Sequence, residues 1–200
     1  MYEFNEEPRH LNMKKVVIIS AILIIFLISL VVLIAKKIST PTPTKNHEVK
    51  ETTTVFYSKD NSIFVELSNN LNLKSYSSEL NYLLELRSEN QLNIFIAKEN
   101  AIQNKELVEV TEADKIAFLG NFENSSNVSE LKQLSVNDNL AYTYSFHYLD
   151  KILDKAFYLQ VVWLQIGDSY YIFDIEFPLE DLSFNTNITS SVLSSFSLKK

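Results

Sequence analysis

Apolar and polar side chains alternate through the last third of the chain in a pattern that predicts three neighbouring β-strands. Residues 142–148 carry aromatic side chains at every second position, with threonine, serine and histidine between them. Residues 157–166 are apolar almost throughout, which is typical of a central strand covered on both faces. Residues 171–177 alternate again, with two carboxylates on the second side. Because turn residues at 150–155 and a glycine-containing pair at 167–168 separate the three stretches, they predict an antiparallel meander.

Shorter apolar stretches in the preceding part of the chain predict further strands. Residues 55–67 contain two extended pieces around a polar turn at 58–61. Residues 92–96 alternate between leucine or isoleucine and other side chains, which indicates a strand. Residues 80–86 fit a strand and one face of a helix equally well, and we favour a strand that ends in a turn at 88–90.

Two segments are predicted to be helical. Thr111 is placed to cap a helix through its hydroxyl, and Glu112 and Asp114 would then lie in the first turn, where acidic groups are favourable. The predicted apolar side of this helix comprises Ile116, Leu119 and Phe122, with Phe118 nearby. Pro178 ends the third strand of the meander and suits the first turn of a closing helix. The apolar stripe of that helix comprises Leu179, Leu182, Val192, Leu193 and Phe196.

A long apolar stretch near the N-terminus predicts a membrane anchor. Val16–Ala35 contains no charge, no glycine and no proline, and as a helix it would reach about 30 Å, the thickness of the hydrocarbon core of a bilayer. The apolar core of a cleaved signal peptide is shorter, about 7–15 residues, and ends at a small-residue cleavage site, whereas two lysines follow this stretch closely. We therefore expect a permanent single-span anchor in contact with membrane lipid.

The anchor divides the chain into four segments. These are a short cytoplasmic N-terminus at 1–15, the transmembrane helix at 16–35, a stalk rich in threonine and proline at 36–54 and one globular domain at 55–200. Lysine and arginine residues are almost balanced on the two sides of the span, so the charges alone do not fix its orientation. We favour an extracytoplasmic domain because two lysines directly precede the span, and the inverted orientation stays open.

The charge of the chain is distributed unevenly. From residue 45 onward, 13 Lys and Arg residues oppose 22 Asp and Glu residues, a formal charge of −9. Nucleic-acid binding requires a basic face, so we expect no nucleic-acid partner. An acidic domain is also repelled by anionic lipid and is expected to stand away from the membrane surface. Solubility alone is the simpler explanation of the acidic charge.

The order of elements resembles that of the PsbP-like superfamily over about residues 55–198. The resemblance rests on four segments: Ser62–Tyr76, Glu112–Phe122, the aromatic meander and the closing VLSSFSLK. It implies an α+β fold in which an antiparallel sheet lies between helices as an α/β/α sandwich. The superfamily includes a photosystem extrinsic subunit, a nuclear Ran-release factor and DcrB-like envelope proteins. Its members are frequently secreted or tethered to membranes and usually lack catalysis, and their partners differ too much for a site residue to be transferred.

Composition excludes several kinds of catalytic site. The chain contains only two glycines, which rules out a phosphate-binding P-loop, a dinucleotide-binding glycine motif and a nucleophile elbow. It contains no cysteine, which rules out thiol catalysis and cysteine-ligated zinc. We predict no cofactor and no resident metal, and we predict that the protein is not an enzyme.

Four residues form the candidate binding surface. Asp174 and Glu176 share one side of a predicted strand, where paired carboxylates can hold a cation or exchange protons, although a solvated or lysine-paired face is the simpler explanation. Alternation places Tyr170 on the same side, and tyrosine is common at recognition surfaces. His147 is the one histidine of the domain, and a hairpin-packing or solvent-facing role is favoured over a general base. Core packing is likewise favoured for most aromatic residues of the meander.

Two classes of function agree with these observations. The first is a membrane-anchored extracytoplasmic binding or accessory module without catalysis, whose partner is a protein or a cell-wall polymer. The second is a single-span sensory or regulatory protein that couples the outer domain to a cytoplasmic partner through residues 1–15. An exposed tyrosine or apolar patch on the domain would favour the first, and deletion of residues 2–12 without a phenotype would reject the second.

Overall fold

The computed structural model of the chain describes residues 52–77, 81–122, 124–182 and 187–199. The predicted segments 1–15 and 16–35 lie outside these residues, as does the stalk up to residue 51. Across the described part of the chain, no helix has the length and apolar character needed to cross a bilayer.

Three strands form a small antiparallel sheet. They are β1 (Thr53–Tyr57), β2 (Ile63–Ser68) and β10 (Ser197–Leu198), in the order β1-β2-β10. The predicted hairpin at 55–67 is confirmed, and its turn is held by Asp60, whose Oδ1 accepts hydrogen bonds from the Ser58 hydroxyl at 2.7 Å and the Ser62 amide at 3.0 Å. Because β1 begins at Thr53, the last two residues of the predicted stalk belong to this strand.

Seven further strands form a larger antiparallel sheet. They are β3 (Lys74–Ser75), β4 (Leu84–Arg87), β5 (Asn93–Asn100), β6 (Lys132–Val136), β7 (Asn139–Asp150), β8 (Lys155–Ile166) and β9 (Ser169–Pro178). Their order is β3-β4-β5-β9-β8-β7-β6. The predicted meander is confirmed as β7, β8 and β9. The strand predicted at 92–96 is confirmed as β5, and in the ambiguous stretch at 80–86 the strand β4 begins at Leu84.

The hairpin turns use residues that tolerate a positive φ. Gly167 has a φ of 58° in the β8–β9 turn, as the sequence predicts. The β6–β7 turn consists of Asn137 and Asp138, with φ values of 48° and 64°. Both values lie in the left-handed region, where Asn and Asp are the non-glycine residues found most often. Strand β6 and this turn are absent from the sequence-based expectation.

The first helix, α1, spans Leu107–Leu119 and begins upstream of the expected start. The prediction that Thr111 caps it is wrong, because Thr111 is a buried residue of the second turn whose hydroxyl donates to the Leu107 carbonyl at 2.8 Å. A capping box formed by Glu106 and Glu109 starts the helix. The shifted start also leaves Ile116, expected on the apolar side, 68% exposed.

The closing helix, α2, spans Ile188–Ser195. Pro178 is the last residue of β9, and it precedes a short 3-10 turn at Leu179–Asp181. Residues 183–186 of the predicted helix lie outside the described residues.

The large sheet has two covered faces, and the strand register assigns each residue to one of them. Tyr144, Val161, Asp174 and Phe95 are paired in one row on the side that α1 covers, which we call the α1 face. The adjacent positions point to the α2 face, where α2 and the small sheet together cover an apolar core. The fold is therefore α+β with a helix on each side, and the small sheet adds a part that the simple sandwich prediction lacks.

Candidate binding site

The structure brings together three of the four predicted surface residues and separates the fourth. Tyr170, Asp174 and Glu176 lie on the α1 face of β9, as alternation predicts. His147 lies on the α2 face of β7, because it is paired with Tyr158 rather than with the row that contains Asp174. The sheet therefore stands between the histidine and the two carboxylates.

His147 has a packing role in the hairpin. Its ring contacts Tyr158 edge-on, with 5.8 Å between ring centroids, and its Nδ1 lies 2.9 Å from Asn127 Nδ2. Its backbone amide and carbonyl both bond to Ser126. These contacts hold the loop after α1 against β7.

Tyr170 is buried, so the expectation that it lines an exposed surface is wrong. Only 1% of the residue is exposed, and its ring packs edge-on against Trp163 with 5.6 Å between centroids. The N-terminal turns of α1, through Leu107 and Val110, complete the cluster around it. Alternation gives the correct side of the strand, but it cannot show that a helix covers that side.

Glu176 is fixed by hydrogen bonds from two neighbouring strands. The Tyr148 hydroxyl donates to Glu176 Oε2 at 2.6 Å, and Asn93 Nδ2 donates to Oε1 at 2.9 Å. Both carboxylate oxygens therefore accept a hydrogen bond in a partly buried setting. Burial, together with the same hydrogen bond, raises the pKa of Tyr148 above its ordinary value, because ionisation would place a second negative charge beside Glu176.

Asp114, a residue of α1, is the third carboxylate of the site. Its Oδ2 accepts hydrogen bonds from the Tyr144 hydroxyl at 2.9 Å and from the indole Nε1 of Trp163 at 3.0 Å. These bonds attach α1 to β7 and β8. Burial and the adjacent Asp114 also raise the pKa of Tyr144.

Asp174 is largely enclosed by protein, and the negative charges of the other two carboxylates both act on it. No described residue donates a hydrogen bond to it or forms an ion pair with it. Desolvation first, and then the negative charges of Asp114 and Glu176, raise the pKa of Asp174 from 3.8 to about 7. A carboxyl group with this pKa exchanges its proton near neutral pH, whereas an ordinary aspartate is fully ionised there.

The β4 side of the site is aromatic and also charged. The ring of Tyr82 lies 4.9 Å from that of Phe95, and burial, Asp174, Glu85 and Glu176 raise the pKa of Tyr82. Arg87 Nε donates to Glu85 Oε1 at 2.7 Å, and the guanidinium group lies 5.5 Å above the Phe95 ring. A positive charge is therefore already held against this end of the face.

We call Asp114, Asp174 and Glu176, with the rings around them, the carboxylate cluster. Neither simple explanation of the Asp174 and Glu176 pair holds, since the pair is neither freely solvated nor matched with a lysine among the described residues. Within the described ranges, no three histidine or acidic side chains are arranged to hold a metal ion. The arrangement can store a proton on Asp174 and can attract a positive group.

Comparisons with known proteins identify the fold. No family model matches the sequence, and no curated protein matches it. Among solved structures, cyanobacterial PsbP from Synechocystis sp. PCC 6803 aligns with a TM-score of 0.56 at 10% identity, covering 74% of this chain and 94% of that one.

Two further structures share the architecture. The Ran-binding protein Mog1p of Saccharomyces cerevisiae aligns with a TM-score of 0.51 at 11% identity, covering 74% of this chain and 96% of its own. LpqN of Mycobacterium tuberculosis, involved in cell envelope biogenesis, aligns with a TM-score of 0.53 at 9% identity, covering 78% and 94%. The protein therefore has a PsbP-like fold, as the order of elements predicts.

Proposed function

We propose that this protein is a membrane-anchored, extracytoplasmic binding or accessory module that acts without catalysis. The carboxylate cluster is the observation that carries the proposal. Crowding carboxylates in a partly buried setting costs free energy, and titratable groups with perturbed pKa values cluster at functional sites. A bound partner that neutralises them would offset this cost.

Two other features support the location and the absence of catalysis. The apolar segment Val16–Ala35 has the length of a membrane span, and LpqN, which shares the fold, is involved in cell envelope biogenesis. The cluster itself places no serine, lysine or histidine beside Asp174 among the described residues. Hydrolysis by nucleophilic attack generally needs such an activated group.

The lack of cysteine allows a direct test of location. A membrane-impermeant maleimide applied to intact cells is expected to label Ile152→Cys, since Ile152 is 94% exposed at the β7–β8 turn. A matched Asn5→Cys variant should be labelled only after lysis. The reverse labelling pattern would place the domain inside the cell. Recovery of full-length protein in the vesicle-free soluble fraction would contradict the membrane anchor.

The binding role is tested by photo-crosslinking in intact cells. A photoreactive residue at Asn81, which is exposed beside Tyr82, should capture a defined partner, whereas the same residue at Ser190 on the outer side of α2 should not. Equal capture at both positions would show that the carboxylate cluster does not direct binding. No capture at Asn81 under conditions in which the protein is labelled outside the cell would contradict a binding module at this face.

A further inference from the structure

We infer that the carboxylate cluster binds a guanidinium or ammonium group, the charged end of an arginine or lysine side chain on a partner protein. The inference rests on the proposed function and adds the chemistry of the ligand. Three observations carry it: the excess of negative charge, the open acceptor atoms and the aromatic rings beside them.

The negative charge of the cluster has no internal counterpart. Arg87 and, at the start of β8, Lys155 are cations on this side of the sheet, and they are held by Glu85 and Glu180 respectively. In the described part of the chain, no ion pair reaches Asp114, Asp174 or Glu176. A positive group entering between them would gain Coulomb energy in a setting with little water, where such interactions are stronger than at an open surface.

The open hydrogen-bond acceptors match an organic cation better than a metal ion. Both oxygens of Glu176 and Oδ2 of Asp114 already accept hydrogen bonds. Among the described residues, nothing donates to the two oxygens of Asp174 or to Oδ1 of Asp114. Three acceptors suit the three to five N–H groups of an ammonium or guanidinium ion, whereas calcium takes six or more oxygens.

The lack of a hydrogen-bond donor to Asp174 supports the inference independently of the number of acidic residues. Carboxylates that are structural members of a fold are usually held by hydrogen bonds, as Glu176 and Asp114 are here. Asp174 is largely enclosed, lacks such a bond among the described residues and is affected by the charges of both other carboxylates. Its acceptors therefore remain available for a group that comes from outside the domain.

The aromatic side of the cluster favours the same class of ligand. Tyr82 and Phe95 are half-buried and present ring surface beside Asp174. Arg87 already lies over Phe95 at 5.5 Å, which shows that this face accommodates a guanidinium group. The acidic domain also attracts basic partners at long range, which favours a protein surface as the source of the cation.

The single tryptophan of the chain provides the readout. Trp163 Nε1 donates to Asp114, so a cation bound in the cluster should shift its indole NMR resonance and its fluorescence. The full-length chain in nonionic detergent is titrated with N-acetyl-arginine amide and with its uncharged analogue N-acetyl-citrulline amide. Saturable shifts are expected with the arginine compound, and affinity at least tenfold weaker with citrulline.

Two variants locate the effect. Asp174→Asn should reduce the affinity for N-acetyl-arginine amide at least tenfold, because it removes the unfilled charge while keeping the shape of the side chain. Asp168→Asn makes the same charge change at the exposed β8–β9 turn and should leave the affinity unchanged. Equal affinities for the arginine and citrulline compounds, or an unaffected Asp174→Asn, would overturn the inference.

The pH dependence sharpens the test. The cation prefers ionised Asp174, so affinity should rise up to about tenfold per pH unit below pH 7 and level off above it. This slope should disappear in Asp174→Asn. The titratable and charged groups that face Asp174 from the surrounding elements are Asp114, Glu176, Tyr144, Tyr148, Tyr82, Glu85 and Arg87.

Further ligands distinguish the sources of the cation. Stronger binding of spermidine than of an arginine-containing peptide would show that the site binds organic cations but that a protein side chain is not their source. Calcium or magnesium ions that shift Trp163 in a manner dependent on Asp174 would overturn the choice of an organic cation. If the photoreactive residue at Asn81 captures a partner in cells but Trp163 does not respond to N-acetyl-arginine amide, this inference is refuted while the proposed binding function is retained.

Discussion

The two faces of the large sheet are built from the same strands, yet they differ in the interactions that their side chains make. On the α2 face, β9 contributes Tyr171, Phe173 and Ile175 to an apolar core. On the α1 face, the same strand contributes Asp174 and Glu176 to a site where hydrogen bonds and charge dominate. We expect stability to be concentrated on the α2 face, because its apolar cluster is the larger of the two and the smaller cluster on the α1 face lies beside these carboxylates. This division agrees with a binding role for the α1 face and a structural role for the α2 face.

The largest expected difference comes from adjacent residues of β9. Phe173→Ala should lower the free energy of unfolding by about 3–5 kcal/mol, because a fully buried ring leaves a cavity. Asp174→Asn, one position away, should raise it by about 1.6 kcal/mol at pH 5, because the aspartate of the unfolded state is ionised at that pH while Asp174 of the folded state stays protonated. Unfolding of the full-length chain in detergent can be followed by Trp163 fluorescence.

A milder variant guards against complete loss of folding. Ile175→Val removes one buried methylene on the same face and should cost about 0.5–1.5 kcal/mol. If Asp174→Asn at pH 5 were more harmful than either apolar truncation, stability would not be concentrated on the α2 face.

The second prediction concerns pH. The folded state raises the pKa of Asp174 from 3.8 to about 7, so it binds more protons than the unfolded state between these values. The stability contributed by protonated Asp174 is fully present below about pH 4 and is lost as pH rises through 7. The loss approaches about 4 kcal/mol. Unfolding measured between pH 5 and pH 8 should show about 2.7 kcal/mol of this decline, and Asp174→Asn should remove it.

The titration of Asp60 does not interfere with this measurement. Hydrogen bonds from Ser58 and Ser62 lower the pKa of Asp60, so its contribution is present above pH 3.8 and lost only as pH falls below that value. The two carboxyl groups therefore act in separate pH ranges. A decline that persists in Asp174→Asn between pH 5 and pH 8 would assign the effect to another group.

The third prediction tests how α1 is attached. Tyr144→Phe removes a hydrogen bond to Asp114 and should cost about 1.5–3 kcal/mol, because the acceptor is charged and partly buried. Tyr142→Phe on the same face is the matched control, since its hydroxyl has one long contact of 3.4 Å to Gln133. Equal losses from the two variants would show that Asp114 does not anchor the helix.

Alternation in the sequence was sufficient to predict the meander but not everything around it. Strands β7, β8 and β9 are long, and each has a pattern that a helix cannot match. Strand β6 is short and lies at an edge, and its turn uses Asn137 and Asp138 instead of glycine. Short edge strands carry little periodicity, which explains the omission.

The candidate site was predicted only as far as one strand could show it. The spacing of Asp174 and Glu176 predicts their common side, but their burial depends on elements distant in sequence. A helix capped at Thr111 predicts Asp114 in the first turn, where it would favour the helix dipole. Because α1 starts at Leu107, Asp114 lies well beyond the first turn and its carboxylate accepts hydrogen bonds from Tyr144 and Trp163.

The smallest expected effect lies on the α2 face, which also contains one chain of polar groups. Thr189 on α2 donates to Gln160 Oε1 at 2.7 Å, and Gln160 Nε2 donates to Thr143 Oγ1 at 3.1 Å. This chain is neutral, so Thr189→Val should cost about 1 kcal/mol at every pH between 5 and 8. Ser190→Ala, at the exposed neighbouring position, should cost less than about 0.5 kcal/mol. A cost for Thr189→Val that changed with pH would link the two faces electrostatically, whereas a constant cost would show that charge acts on the α1 face alone.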